Sequence, residues 1–318
     1  ENPQDGLYEK LKSAFVGMEE AVGQGKIHQF GVASNGLSLP EQHPLYLNYQ
    51  VVLQAANDAA NKVHGNAEPS LTMLELPANI MEKRGVQVAR DIVDSAHTWP
   101  RLQVVCMRPL TWYPQDSGTA ANQQPISFVD YQIPTKEGVV FTNEMEGPPL
   151  VYQQALNNAL SHFDGTALLE EKKERKLTTE ERETLEGCKL LQSILHDLDV
   201  GLEKVSSFAA YENELYDKVI PTLYGRFEEL DEESSLVLQQ FFTAHGQAVR
   251  YAIAKRTREM LSEQEDIDIP PDQKLQDYAL QYILKEPAFS KVFVGCTHPS
   301  EVLENVKIAE KLDTKTEA

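Results

Sequence analysis

Cysteine is scarce in this chain: there are three in 318 residues, at positions 106, 188 and 296. An odd number at such wide spacing excludes a disulfide framework, so free thiols in a reducing compartment, cytoplasm or organelle matrix, are expected. No Cys-x-x-Cys or His-Glu-x-x-His occurs and the eight histidines are scattered, so no metal site is expected. Basic residues are outnumbered, 29 against 49 acidic ones, for a net charge of −20. That balance opposes general nucleic-acid binding, which needs a basic face, and is read as a solvated acidic surface. No apolar run approaches the ~18–20 residues of a membrane span. The first six residues, ENPQDG, are polar and lack signal or transit character.

What is present is alternation. Leu7, Leu11, Ala14, Phe15, Met18 and Val22 repeat at three and four, predicting a helix that Gly23 and Gly25 stop. Ile27 to Ala33 then predicts a strand leading into Ser34-Asn35-Gly36. The unit recurs: a helix over 45–63, a strand from Leu71 to Leu76, a turn at Pro77-Ala78-Asn79, and a helix from Val86 to Ala96. Leu102 to Met107 (LQVVCM) predicts a third buried strand, closed by Arg108-Pro109-Leu110. Leu275 to Leu284 predicts a helix, 291–295 a fourth strand, and Pro299 to Leu312 a last helix. Strands alternating with helices imply an α/β fold whose parallel strands are joined by crossovers.

A segment of different character interrupts this alternation. Trp112 to Pro149 is loop-rich, with prolines at 114, 125, 134, 148 and 149. Helical patterning follows from Leu150. Thr178-x-x-Glu181 is a capping box ahead of Leu190, Leu191, Ile194, Leu195 and Leu198, and a long helix is predicted from Ser234 to Ser262. The charge run Glu170 to Lys176 is read as a solvated face. The expected organisation is therefore 1–111 and 271–318 around the strands, with 112–270 as a loop-rich and then helical insertion. His162-x-Asp164 and His196-Asp197 lack any nearby nucleophile motif and are read as structural.

Four strand-end motifs in order carry a family resemblance. MEEAVGQGKIHQFGVASNG resembles the fourth helix and fifth strand of the aldo-keto reductases, and LELPAN resembles that family's sixth strand. CMRPL is similar to its seventh strand, and FVGCTHPSEVLENV to its eighth strand and following helix. The resemblance covers roughly 7–110 and 275–312. It implies a (β/α)8 TIM barrel of aldo-keto reductase type with strands 5 to 8 present, an added helical segment, and an active site at the carboxyl ends of the strands. It also implies that the first four strands, completing the barrel, come from upstream polypeptide or another chain. The family's catalytic Asp, Tyr, Lys and His lie on those strands, so no catalytic residue is assigned here.

By the same resemblance the cofactor half is present but altered. Ser34 and Asn35 match the pair that holds the nicotinamide carboxamide. Glu75 stands where the family has Gln, and a carboxylate accepts hydrogen bonds without donating them. Met107 replaces the usual stacking aromatic. Gly295 and Thr297 line the last strand's end, while Glu304 and Asn305 match adenine-binding residues. Glu301 falls where Arg or Gln often stands near the 2′-phosphate, which predicts a weakened preference for NADP, with NAD as second choice. Lys291 and Lys307 are the nearest basic residues in sequence. Arg108 reads equally as a phosphate ligand or as a salt-bridge partner. His298, before Pro299, reads as helix entry. Two functions follow: NAD(P)H-dependent reduction of a small carbonyl substrate with the catalytic half outside this chain, or a catalytically inert scaffold or assembly subunit of the same fold.

Overall fold

The first helix, α1 (Pro3–Gly23), ends as its glycines dictate. Gly25 takes the left-handed conformation (φ 69°), letting its N–H reach Val22 O at 2.8 Å while Lys26 N–H reaches Ala21 O at 2.9 Å. This pair of bonds satisfies carbonyls that the helix end would otherwise orphan. The computed structural model describes residues 3–65, 68–95, 99–114, 125–136, 138–142, 147–166, 177–226, 230–270 and 272–316. They form two compact units, 1–112 with 276–318, and 113–275.

In the first unit, β1 (Phe30–Ala33), β2 (Leu71–Pro77), β3 (Gln103–Met107) and β8 (Lys291–Val292) form one sheet in the order β1-β2-β3-β8. All three pairings are parallel, and the helices α2 (Tyr49–His64) and α3 (Lys83–Ser95) make the first two crossovers. The helix α9 (Leu275–Leu284) precedes β8, and α10 (Pro299–Thr316) follows it. The register aligns Val32, Leu74, Val104 and, two residues on, Leu76 with Cys106 and Val292. These side chains form a core with Phe15 of α1, Val52, Ala55 and Ala59 of α2, and Val86, Ala89 and Ile92 of α3. Period-two alternation turns Gly31, Ala33, Met73, Glu75 and Met107 to the other face, where Gly31 and Ala33 are exposed and the other three half-buried. The chain is thus α/β with a four-stranded parallel sheet.

Two strands are shorter than their sequence predicts. β1 begins at Phe30 rather than Ile27, because its first pairing partner is Leu71. β8 stops at Val292, having paired only with Val105 and Cys106. Buried Glu19 ties three elements together. Its carboxylate accepts from Ser70 N–H (2.8 Å) and Ser70 Oγ (2.7 Å) beside β2, and lies 3.3 Å from His64 Nε2 on α2. Gly85 lets α3 close onto the end of β2, since a Cβ there would stand 2.0 Å from Pro77 O.

The loop-rich stretch after β4 (Thr111–Trp112) contains strands that the prolines concealed: β5 (Ile126–Ser127), then β6 (Tyr131–Thr135) and β7 (Gly138–Thr142), an antiparallel hairpin. Beyond it the second unit is helical, with α4 (Gly147–His162), α5 (Thr179–Gly201), α6 (Phe208–Glu214), α7 (Ile220–Arg226) and α8 (Glu232–Glu265). Pro221 has no N–H for Asp217, and the turn ahead of it widens into the π-helix Leu215–Val219. The capping box forms: Thr178 Oγ1 accepts from Glu181 N–H at 3.3 Å, and Glu181 Oε2 from Thr178 N–H at 2.9 Å. His162 Nε2 lies 2.9 Å from Ser234 Oγ at the start of α8. The 170–176 charge run lies outside the described residues.

Tyr152 and Leu156 of α4, Leu191 and Leu195 of α5, and Phe241 of α8 make the helical core. His245 is buried among the rings of Tyr152, Tyr211 and Phe241 and donates from Nε2 to Leu198 O at 3.1 Å. Burial holds its pKa below the ordinary 6.5, against the raising effects of Leu198 O and Asp199. Its neutral form therefore contributes stability that is complete above pH 6.5 and is lost as pH falls from there through the lowered folded-state value. Acidification from pH 7.5 to 5 is expected to lower the urea midpoint of the second unit, and His245→Phe to flatten that dependence. An unchanged slope in the variant refutes the assignment.

Candidate functional site

Because the four strands are parallel, their carboxyl ends lie along one edge of the sheet, and Ser34, Asn35, Glu75, Met107 and Arg108 fall at the ends of the first three. Ser34 N–H donates to Glu75 O at 3.0 Å, joining the end of β1 to β2. Ala78 N–H donates to Met107 O at 3.3 Å, joining β2 to β3, and Phe293 N–H to Cys106 O at 2.8 Å carries the ladder past β8. Ser34, Glu75, Met107 and Arg108 are half-buried and Asn35 is exposed. The Ser34 side chain is engaged locally, Oγ accepting from Gly36 N–H at 3.1 Å, and Asn35 O accepts from Ser38 Oγ at 3.2 Å.

The centre of this edge is a cluster that sequence reasoning placed only as a turn. Asn79 is fully buried. Its Oδ1 accepts from Met81 N–H (3.0 Å) and Glu82 N–H (2.9 Å), while Nδ2 donates to Arg108 O (3.2 Å), Thr111 O (3.0 Å) and Glu82 Oε2 (2.6 Å). Arg108 Nη2 donates to Glu82 Oε1 at 3.0 Å, forming an ion pair. The backbone of Arg108 is left-handed (φ 59°), a costly state for a residue with a Cβ; carbonyl bonds from Asn79 and Thr111 hold it there. Burial pushes the Glu82 carboxyl up, against Arg108 and Asn79, which pull it down. Behind it the Cys106 thiol, buried and donating to Ala78 O at 3.1 Å, is pushed up to about 12 and is chemically quiet.

After β8 the arrangement is a helix cap. Glu301 Oε2 accepts from Thr297 N–H at 2.7 Å and His298 N–H at 3.2 Å, with Pro299 opening α10. Glu301 thus turns back on its own loop. His298 is likewise local, its Nδ1 3.0 Å from Ser300 Oγ. Asn305 Nδ2 donates to the exposed Cys296 thiol at 3.3 Å; Glu304 is half-buried and Gly295 and Thr297 are exposed. Ser34, Glu75, Met107 and Arg108 are brought together by backbone ladders; Gly295, Thr297, Glu301, Glu304 and Asn305 form a second group around the start of α10. Among the described residues no His, Cys, Asp and Glu cluster is arranged to hold a metal ion, and no helix is long and apolar enough to cross a membrane.

Fold and strand ends together define an α/β protein with a polar cluster at the carboxyl edge of a parallel sheet. No family model, curated protein or solved structure matches the chain.

Proposed function

We propose that the chain is the cofactor-binding half of an aldo-keto reductase-type oxidoreductase, reducing an aldehyde or ketone with NAD(P)H when the catalytic half, outside these 318 residues, completes the barrel. The observation that carries this is the order β1-β2-β3-β8, all parallel, with Ser34, Glu75, Met107 and Arg108 along the carboxyl edge of the first three strands and the segment from Gly295 to Asn305 following the carboxyl end of β8. Such an edge is where ligands bind in parallel α/β proteins. Ser34, Asn35 and Glu75 would meet the nicotinamide carboxamide, Met107 its ring, and the segment from Gly295 to Asn305 the adenosine. An inert scaffold of the same fold is the second reading, favoured by one feature: Arg108 is already neutralised by Glu82, so the phosphates would find no uncommitted guanidinium there.

Calorimetric titration of NADPH and NADH against the full-length protein tests this. Glu301→Gln keeps an acceptor for the cap while removing one negative charge. It is expected to tighten NADPH about fivefold, equivalent to ~1 kcal/mol at a solvated site, and to leave NADH unchanged. Binding of neither nucleotide leaves the scaffold; equal tightening of both would move the 2′-phosphate away from Glu301.

A further inference from the structure

The second unit holds a cavity of about 150 Å³ that none of the residues at the edge of the parallel sheet lines. Its polar lining is Arg250, Asp130, Ser127 and Ser207, the last of which caps α6 by accepting from Ala210 N–H; Arg250 of α8 is half-buried, with the guanidinium carbon 3.6 Å from the centre of the Phe208 ring. The other arginines that reach into this unit's interior are committed. Arg258 grips Asp130 at 3.0 and 2.8 Å, and Arg256 donates to the carbonyls of Glu203 and Val205. Arg250 has no hydrogen bond or ion pair among the described residues; Glu212 acts on it only at a distance. Burial without a hydrogen-bonded counter-charge disfavours the guanidinium, lowering its pKa, and that cost is relieved by an anion.

The walls define the anion. Val129 and Ile253 are apolar, while Ser127 adds a hydroxyl without a partner among the described residues. Asp130 also lines the cavity, but its carboxylate is matched by Arg258 and by Leu275 N–H at 2.7 Å. One uncommitted guanidinium beside a paired carboxylate suits a monoanion, whereas a phosphate dianion would carry excess charge next to Asp130. The geometry points to a binding site for a small organic carboxylate, held bidentate on the edge of Arg250 with Ser127 as second donor and its apolar body against Val129 and Ile253. This site lies in the helical unit and does not rest on the proposed reductase activity.

The probe is 4-fluorobenzoate, followed by ¹⁹F line broadening on the full chain, with 4-fluorobenzyl alcohol and inorganic phosphate as controls. Benzoate is expected to bind, the alcohol to bind at least tenfold more weakly, and phosphate not to displace benzoate. Arg250→Met is expected to weaken benzoate at least tenfold and Ser127→Ala about threefold. Because Arg250→Met also removes the stacking on Phe208, Ile253→Trp, which fills the cavity with Arg250 in place, supplies an independent loss. Equal binding of acid and alcohol, displacement by phosphate, or retained binding in Arg250→Met and Ile253→Trp each overturns the site.

Discussion

Asn79→Ala is expected to lower the stability of the first unit by about 3–5 kcal/mol, from roughly 1–3 kcal/mol for each buried group left without its partner. One carboxamide joins two turns: Oδ1 holds the N–H groups of Met81 and Glu82, and Nδ2 holds the carbonyls of Arg108 and Thr111. It also steadies Glu82, which pairs with Arg108. Asn79→Asp, nearly isosteric, is expected to be no better, because a carboxylate cannot donate to those carbonyls and repels Glu82. Trp99 packs against the core of the first unit, so its fluorescence in urea, followed with Trp112 replaced by Phe in every protein compared, reports the unfolding of that unit. A loss under 1 kcal/mol in Asn79→Ala would show that water replaces the amide and that the cluster does not hold the strand ends.

The sheet was legible because buried parallel strands read as short unbroken apolar runs. LQVVCM is one, and its observed strand differs from the prediction by a single residue at the start. Strand limits were less legible, since they depend on where the neighbour begins: nothing in Ile27 to Gln29 says that Leu71 is the first residue able to pair. The hairpin of β6 and β7 was hidden by Pro134. Opposite Val139, one pair in from the closing Thr135–Gly138 pair, that position falls outside the hydrogen-bonded pairs of an antiparallel ladder, so the missing N–H costs nothing.

At the candidate site, residue types were readable and their commitments were not. Glu301 sits three residues after His298, a capping spacing present in the sequence, and the cap bond forms. Asn79, Glu82 and Arg108 are joined across 29 positions, a distance at which spacing carries no signal. Arg250 lies between the core-facing Val249 and Ile253 on a long helix, where a charged residue reads as solvated; only the Phe208 ring from another helix marks it out.

Asp130→Ala is expected to cost the second unit about 3–5 kcal/mol, the usual consequence of stranding one member of a buried ion pair. The Asp130 side chain is 1% exposed and takes both Nε and Nη2 of Arg258, together with Leu275 N–H. Arg258 continues through the same Nη2 to Gln273 O at 2.8 Å, so the pair pins the segment after α8 against the start of β6. Without the carboxylate, a guanidinium that is only 20% exposed keeps carbonyl partners but no counter-charge. Replacing both members with apolar residues of similar size, Asp130→Leu with Arg258→Met, removes the stranded charge and is expected to recover at least half of the loss. Hydrogen exchange of peptides from 230–270, measured with and without urea, reads the effect where it arises. If the double variant loses the sum of the two single losses, Asp130 and Arg258 act independently, and the fold here is held by the backbone bonds rather than by the pair.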